Sequence, residues 1–266
     1  MGKEKFVYAL QERIGNPEMF VGRKQELELL QKWLNNVPQK LSQSKAILSR
    51  RKKGKTALVE RFYNIIYNQN KNVIPFYFEI KETSIWIVDF SVKFYTHFIS
   101  QYLSFKLRDP SLAKIDWELI DLKRIASENE LTLVVRDVDI FQRRIKNVDN
   151  VDNIWDYAQS APHRIADLTG EFIVQIIDEF QFINSMIYWD KEKKNKAEKL
   201  AGSYLSLAES KIAPLLVTGS WVGWLKNIIR GQLPARFKEM ELGNLTQEEG
   251  LEAVYNYSII TDNPLG

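Results

Sequence analysis

Two short runs concentrate the residue types that can do chemistry: Ser49-Arg50-Arg51-Lys52-Lys53-Gly54-Lys55-Thr56, and Asp178-Glu179 at the end of the apolar stretch from Phe172. The first joins a row of cations to a glycine and a hydroxyl. Set between a strand and a helix, such a loop curls its backbone N–H groups around a phosphate, with no side chain in the way at Gly54. Lys55 then neutralises the β and γ phosphates of a nucleotide, the Thr56 hydroxyl holds Mg²⁺, and Ala57 continues into the helix. The second run places Asp178 beside the metal and Glu179 where a carboxylate can orient and deprotonate a water molecule. Each run also has a plainer reading. The first is a basic surface loop, or a nucleic-acid patch made by Arg50, Arg51, Lys52, Lys53 and Lys55; the second is a strand that stops at two solvated acids.

The elements around these runs decide between the readings. The first run is the phosphate-loop pattern of Gly, four residues, then Gly-Lys-Ser/Thr, with Ser49 standing where the first glycine belongs. Ala46 to Leu48 is a short apolar strand ahead of it, and Leu58, Phe62 and Ile65 or Ile66 mark a helix behind it that runs to Asn70. Upstream, Leu27, Leu30 and Leu34 predict an amphipathic helix between Gly22 and Asn36. Residues 72–80, rich in β-branched and aromatic side chains, predict a second strand, in which Pro75 is best tolerated near a start or an edge. Helices are expected over 85–107, 117–129, 154–168 and 197–210, and a strand or hairpin over 131–141. Residues 172–178 and 212–220 read as buried parallel strands, 220–230 as the helix between the last of these and an edge strand near 237–245, and 191–199 as a solvated loop. Thr246 with Glu249 three residues on predicts a capped helix. Strand and helix alternate, so the expected fold is α/β: the three-layer α/β/α arrangement of a P-loop NTPase with a mainly parallel central sheet.

Further polar residues belong at the same sheet edge. Thr218, Gly219 and Ser220 end a buried strand, where ligands bind in open α/β sheets, so Ser220 or Thr218 can sense a γ-phosphate or its attacking water; Ser220 can equally cap the next helix. Arg236 is a candidate to meet the γ-phosphate from its own chain or a neighbour, a plain ion pair being the alternative. His97 and His163 support neither a metal cluster nor a triad, and glycine directly before Ser220 does not fit a hydrolase elbow. Trp221 and Trp224, spaced for one helical face, read as core packing in preference to base stacking.

Composition bounds the rest. The chain has 266 residues, 45% of them hydrophobic and 27% charged, with no cysteine and a net charge of +3. A substantial core is available; disulfides and thiolate metal sites are excluded; and the mild charge leaves any nucleic-acid contact to a local patch. Neither a leader peptide nor a membrane-spanning run is read, and a cytoplasmic location is expected.

Taken together, FVGRKQELELLQKWL, SRRKKGKTALVERF, IIDEFQFI, LLVTGSWVGWL and LPARF resemble the archaeal-type ATPase family, within the AAA+/STAND group, over Phe20 to about Glu249. The resemblance implies that Phe20, Val21, Gly22 and Arg23 pack near adenine, that Asp178, Glu179, Phe180 and Gln181 form the acidic motif, that Ser220 is a sensor and that Arg236 is the family's arginine. It implies an N-terminal arm over 1–19, an ATPase core over 20–245 and the start of a helical lid over 246–266, short or missing. The activity implied is hydrolysis of Mg-ATP to ADP and phosphate as a conformational switch for a protein partner or for self-association. An ATP-regulated DNA-binding module, contacting phosphates through residues 50–53 or Arg143 to Lys146, and a nucleotide-binding scaffold with little turnover are the alternatives.

Overall fold

The structure is a computed structural model that describes residues 6–69, 71–146 and 150–260. In chain order its elements are α1 (Lys24–Asn35), β1 (Lys45–Leu48), α2 (Lys55–Gln69), β2 (Val73–Glu79), β3 (Ile85–Trp86), α3 (Ile87–Leu107), α4 (Leu119–Glu128) and α5 (Thr132–Ile145). There follow α6 (Val151–Gln159), α7 (Ala161–Thr169), β4 (Phe172–Asp178), β5 (Ile187–Tyr188), β6 (Leu215–Gly219), α8 (Val222–Gly231), β7 (Lys238–Glu241) and α9 (Gln247–Ile260). Residues 1–5 of the expected arm, Asn70 at the expected end of α2, and 261–266 of the expected lid lie outside the described residues.

Five strands form one parallel sheet in the order β2-β4-β6-β1-β7. The continuous apolar runs make its interior: every residue of β4 and β6 is buried, as expected for strands covered on both faces. β2 pairs only with β4, so Pro75 sits in an edge strand, where its missing N–H disturbs the sheet least. β7 is the other edge. The chain leaves β1 in one direction to reach β2 and returns in the other through β4 and β6. Right-handed crossovers therefore put α2 on one face and α3, α7 and α8 on the other. α1 packs on α2, while α3 packs on α6 and α7, completing the three layers. Between the layers on the α3 side, Phe76 and Phe78 of β2 meet Phe94 edge-on at 5.1 Å each, and Trp155 closes the cluster at 5.0 Å from Phe90.

Three expectations are corrected. Residues 131–141 are helix, not strand: Val134, Asp137, Val138 and Phe141 are buried at spacings of three and four, and this period overrides the β-branched composition. Arg164 makes the burial of Asp137 tolerable by bonding both its oxygens, at 2.7 and 3.0 Å, with Tyr95 and Tyr157 as further donors. Residues 197–210 form two 3-10 turns in place of a helix, because Asn184 captures the Ala201 N–H at 2.8 Å and Ser203 is bound to Trp155 and Gln159. The stretch 154–168 is two helices, broken at Ser160 ahead of Pro162.

Residues 7–13 lie along α2 and are gripped by side chains one turn apart. Asn68 accepts from the Val7 N–H at 2.8 Å and donates to its carbonyl at 2.7 Å; Asn64 does the same for Leu10, at 2.9 Å each way. Glu60 takes the Arg13 N–H at 2.7 Å. A stride of four on the helix is thus matched to a stride of three on this segment. Arg61 adds an ion pair to Glu12 at 2.8 Å and lies 4.4 Å from the Phe20 ring centroid.

Candidate functional site

The loop between β1 and α2 turns through two left-handed residues, Lys52 at φ 65° and Gly54 at φ 74°. Ser49 is not among the positive-φ residues, so the position where the pattern has a glycine makes no left-handed demand here. Its buried hydroxyl instead points to the carbonyls of Arg50 at 3.2 Å and Leu242 at 3.3 Å, tying the loop to the end of β7. Residues 50–57 line a cleft of about 460 Å³ together with residues 79–82, Glu179, Phe182 and Ser220.

The two reactive runs converge at this cleft. Thr56 donates to Asp178 Oδ2 at 2.8 Å, and the buried Lys55 Nζ lies 3.5 Å from Asp178 Oδ1 and 2.6 Å from Glu179 Oε1. Asp178, fully buried, also accepts from Thr218, from the Glu179 N–H at 2.9 Å and from Tyr77 at 3.4 Å. Glu179 adopts φ 55°, turning the chain so that its side chain faces β6. There Ser220 donates to it from Oγ at 2.7 Å and from N–H at 3.2 Å, and Gln181 donates its amide. Burial works to raise the Glu179 carboxyl, but the hydrogen bonds from Lys55, Gln181 and Ser220 and the Lys55 charge outweigh it, holding the group below the ordinary carboxylate value. Gln181 reaches this position across Gly219, where any Cβ would collide with its amide oxygen.

The donor set suits a magnesium ion carried by a triphosphate. Among the described residues no group of three or more His, Cys, Asp or Glu gathers to form an all-protein cage. One hydroxyl and one carboxylate, Thr56 and Asp178, stand side by side next to a cationic loop. That is the incomplete set a magnesium ion uses when phosphate oxygens and water supply the remainder.

Neither a protein-family model nor a curated protein matches the sequence. Solved structures do match the fold. A Walker-type ATPase of Pyrococcus abyssi superposes with a TM-score of 0.56 at 17% identity, over 96% of this chain and 61% of that one. The ORC1 protein of Aeropyrum pernix, solved in complex with DNA, superposes with a TM-score of 0.55 at 11% identity, over 97% of this chain and 54% of that one. The chain has the fold of a P-loop NTPase. It spans 61% and 54% of the length of these two relatives, and at such identities the likeness carries the fold alone.

Within this P-loop NTPase fold, the loop residues, Asp178, Glu179 and Ser220 come together, while other expected site residues lie elsewhere. Arg236 precedes β7, whose Lys238 pairs with Lys45 at the start of β1; the loop of residues 49–54 follows the end of β1. Arg236 is therefore at the opposite edge of the sheet, ion-paired to Glu209 at 3.0 Å, and the same-chain γ-phosphate contact is corrected on that ground. Phe20, Val21, Gly22 and Arg23 are absent from the cleft lining. Arg23 is buried behind the loop, donating to the carbonyls of Lys53 at 2.7 Å and Gly243 at 2.9 Å. Trp221 and Trp224 are not core: they are 41% and 46% exposed, because Leu225, Ile228 and Ile229 occupy the buried face of α8. Arg143 and Lys146 are exposed at the end of α5, and Arg144 stacks on Tyr157 at 4.6 Å.

Sequence reasoning missed Tyr77, Glu79, Glu82 and Phe182. A signal existed for Glu79, since β2 ends in an acid as β4 does and parallel strands end at one edge; Glu79 and Asp178 are register partners. Among the described residues no helix is long and apolar enough to cross a membrane.

Proposed function

We propose that the chain binds Mg-ATP in the cleft between residues 50–57 and Glu179 and hydrolyses it to ADP and phosphate, the two nucleotide states forming a switch that a protein partner or a second copy senses. The observation that carries this reading is the double contact of Thr56 with Asp178 and Lys55 with Glu179, at 2.8 and 2.6 Å, at the mouth of a loop of cations. The loop N–H groups and Lys55 bind the phosphates. Thr56 and Asp178 hold magnesium, which supplies charge neutralisation on the phosphate oxygens.

Lys55 has two claims on it. Phosphate oxygens that draw its ammonium leave Glu179 with Gln181 and Ser220, which keep the carboxylate aimed at the cleft. A water oxygen then bonds to the γ phosphorus as the bond to the bridging ADP oxygen breaks, and Glu179 takes the water proton. Ser220 senses this step through the carboxylate it holds. Arg236 enters only if it reaches the nucleotide of a neighbouring copy.

The test measures binding of a fluorescent ATP analogue and phosphate release separately. Lys55→Ala loses binding; Glu179→Gln keeps binding and loses turnover, which separates a working ATPase from a scaffold. Parent-like nucleotide affinity in Lys55→Ala would dismiss the site. The exposed Arg50, Arg51 and Lys52 favour, as a second reading, an ATPase regulated by nucleic acid. Its mark is affinity for DNA that falls steeply with salt.

A further inference from the structure

The rings of Trp221 and Trp224 stack on one another, with centroids 4.9 Å apart and planes 23° from parallel, although both are exposed. Among the described residues no third ring packs on either. The Arg51 guanidinium sits 5.1 Å over Trp221, so the order is cation, indole, indole. Arg51 belongs to the phosphate loop and bridges to Glu82 at 2.9 Å; Trp221 directly follows Ser220, which holds Glu179. The stack therefore stands at the rim of the nucleotide cleft.

We propose that this stack is a binding platform for single-stranded nucleic acid, on which an unpaired base lies against Trp224 while backbone phosphates meet the neighbouring cations. Three features favour that occupant over a protein. Arg50 and Lys52 are exposed beside Arg51 and form no ion pair among the described residues, so they remain available to phosphate. Along α8 the residues that follow Trp224 outward are the exposed Asn227, a donor-acceptor amide, and Arg230, a cation paired with Glu239 at 2.8 Å. No exposed large aliphatic side chain occurs in α8 or in residues 49–56 to make an apolar anchor for a protein partner. Gly223 leaves the approach to the ring open, with nothing within 4 Å of a Cβ built there. Aromatic stacking beside a cationic track is sequence-tolerant, because every base has a π face.

The test uses the full chain without nucleotide, so its result is independent of whether ATP is turned over. A fluorescein-labelled oligothymidylate of about twenty residues, a duplex of equal length and inorganic polyphosphate are titrated at low salt, with anisotropy and tryptophan emission as readouts. The single strand binds and quenches tryptophan emission; Trp224→Ala weakens it about tenfold or more and removes most of the quenching, and Trp224→Phe stays within about threefold of the parent. Arg51→Ala weakens binding and lowers its salt dependence. Circular dichroism and urea unfolding of Trp224→Ala verify that the fold is retained. Absence of binding to the single strand, equal affinity in a folded Trp224→Ala, preference for duplex, or polyphosphate competing as well as the oligonucleotide in both parent and Trp224→Ala would each overturn the platform. Loss of nucleotide binding in Lys55→Ala leaves it standing.

Discussion

Thr56 of α2 donates its hydroxyl to Asp178 of β4 over 2.8 Å, joining two segments 122 residues apart at the carboxyl edge of the sheet. The same carboxylate accepts from Thr218 and Tyr77, so one buried acid organises the ends of β2, β4 and β6 and the start of α2.

Replacing that acid has a structural cost as well as a functional one. Asp178→Ala leaves the Thr56, Thr218 and Tyr77 hydroxyls and the Lys55 ammonium short of a partner in a buried setting. A loss on the order of 2–4 kcal/mol is expected in urea unfolding, with magnesium-dependent nucleotide binding abolished. A variant as stable as the parent would show that the network is dispensable.

Gly219 tests how Glu179 is aimed. A Cβ there collides with the Gln181 amide, so Gly219→Ala displaces Gln181 and leaves Glu179 with Ser220 and Lys55. Phosphate release is expected to fall about tenfold or more while affinity for a fluorescent ATP analogue stays within about threefold. Gln181→Ala should give the same pattern; unchanged turnover in both would remove Gln181 from the mechanism.

Glu60 gives the protein a pH signature. Burial pushes its carboxyl up to about 7, against the pull of the Arg13 N–H and guanidinium. A folded value above the unfolded one means that the folded state keeps a proton the unfolded chain has released. This stability is therefore fully present below the unfolded value of about 4.5 and is lost as pH rises to about 7. Glu60→Gln should flatten that window, the parent-minus-variant difference changing by roughly 1–3 kcal/mol across it. Urea unfolding of both proteins at a series of pH values measures this, and parallel profiles would refute it.

Asn64 anchors the segment around Leu10. Asn64→Ala deletes both bonds to Leu10 and the one to Glu12 in a fully buried position, and roughly 1–3 kcal/mol of stability should go with them. Hydrogen exchange is expected to rise first at Leu10 and its neighbours. Unaltered protection there would mean that this segment is held by other contacts.

What could be read beforehand followed from patterns carried by consecutive residues. The β1-loop-α2 unit and β4 were legible because each apolar run is short, uninterrupted and punctuated by the chemistry it presents. The capped start of α9 was legible because Thr246 and Glu249 bond reciprocally, at 2.9 and 3.2 Å. Residues 131–141 misled because valine and isoleucine favour strands in isolation, and only packing against α4, α6 and α7 shows that their spacing is helical. Trp221 and Trp224 misled for the opposite reason: aromatic residues at helical spacing describe a face but not which way it points. Arg236 lay beyond reach because strand direction, rather than residue type, sends it to the far edge.

Arg23 has a mechanical consequence. Its guanidinium ties the Lys53 carbonyl to that of Gly243, while its own N–H is held by Glu249 of α9 at 2.8 Å. The start of α9 and the strand-to-helix turn are thus bridged by one residue, with no path across the sheet. Any displacement of α9 and any displacement of that turn therefore act on the same residue.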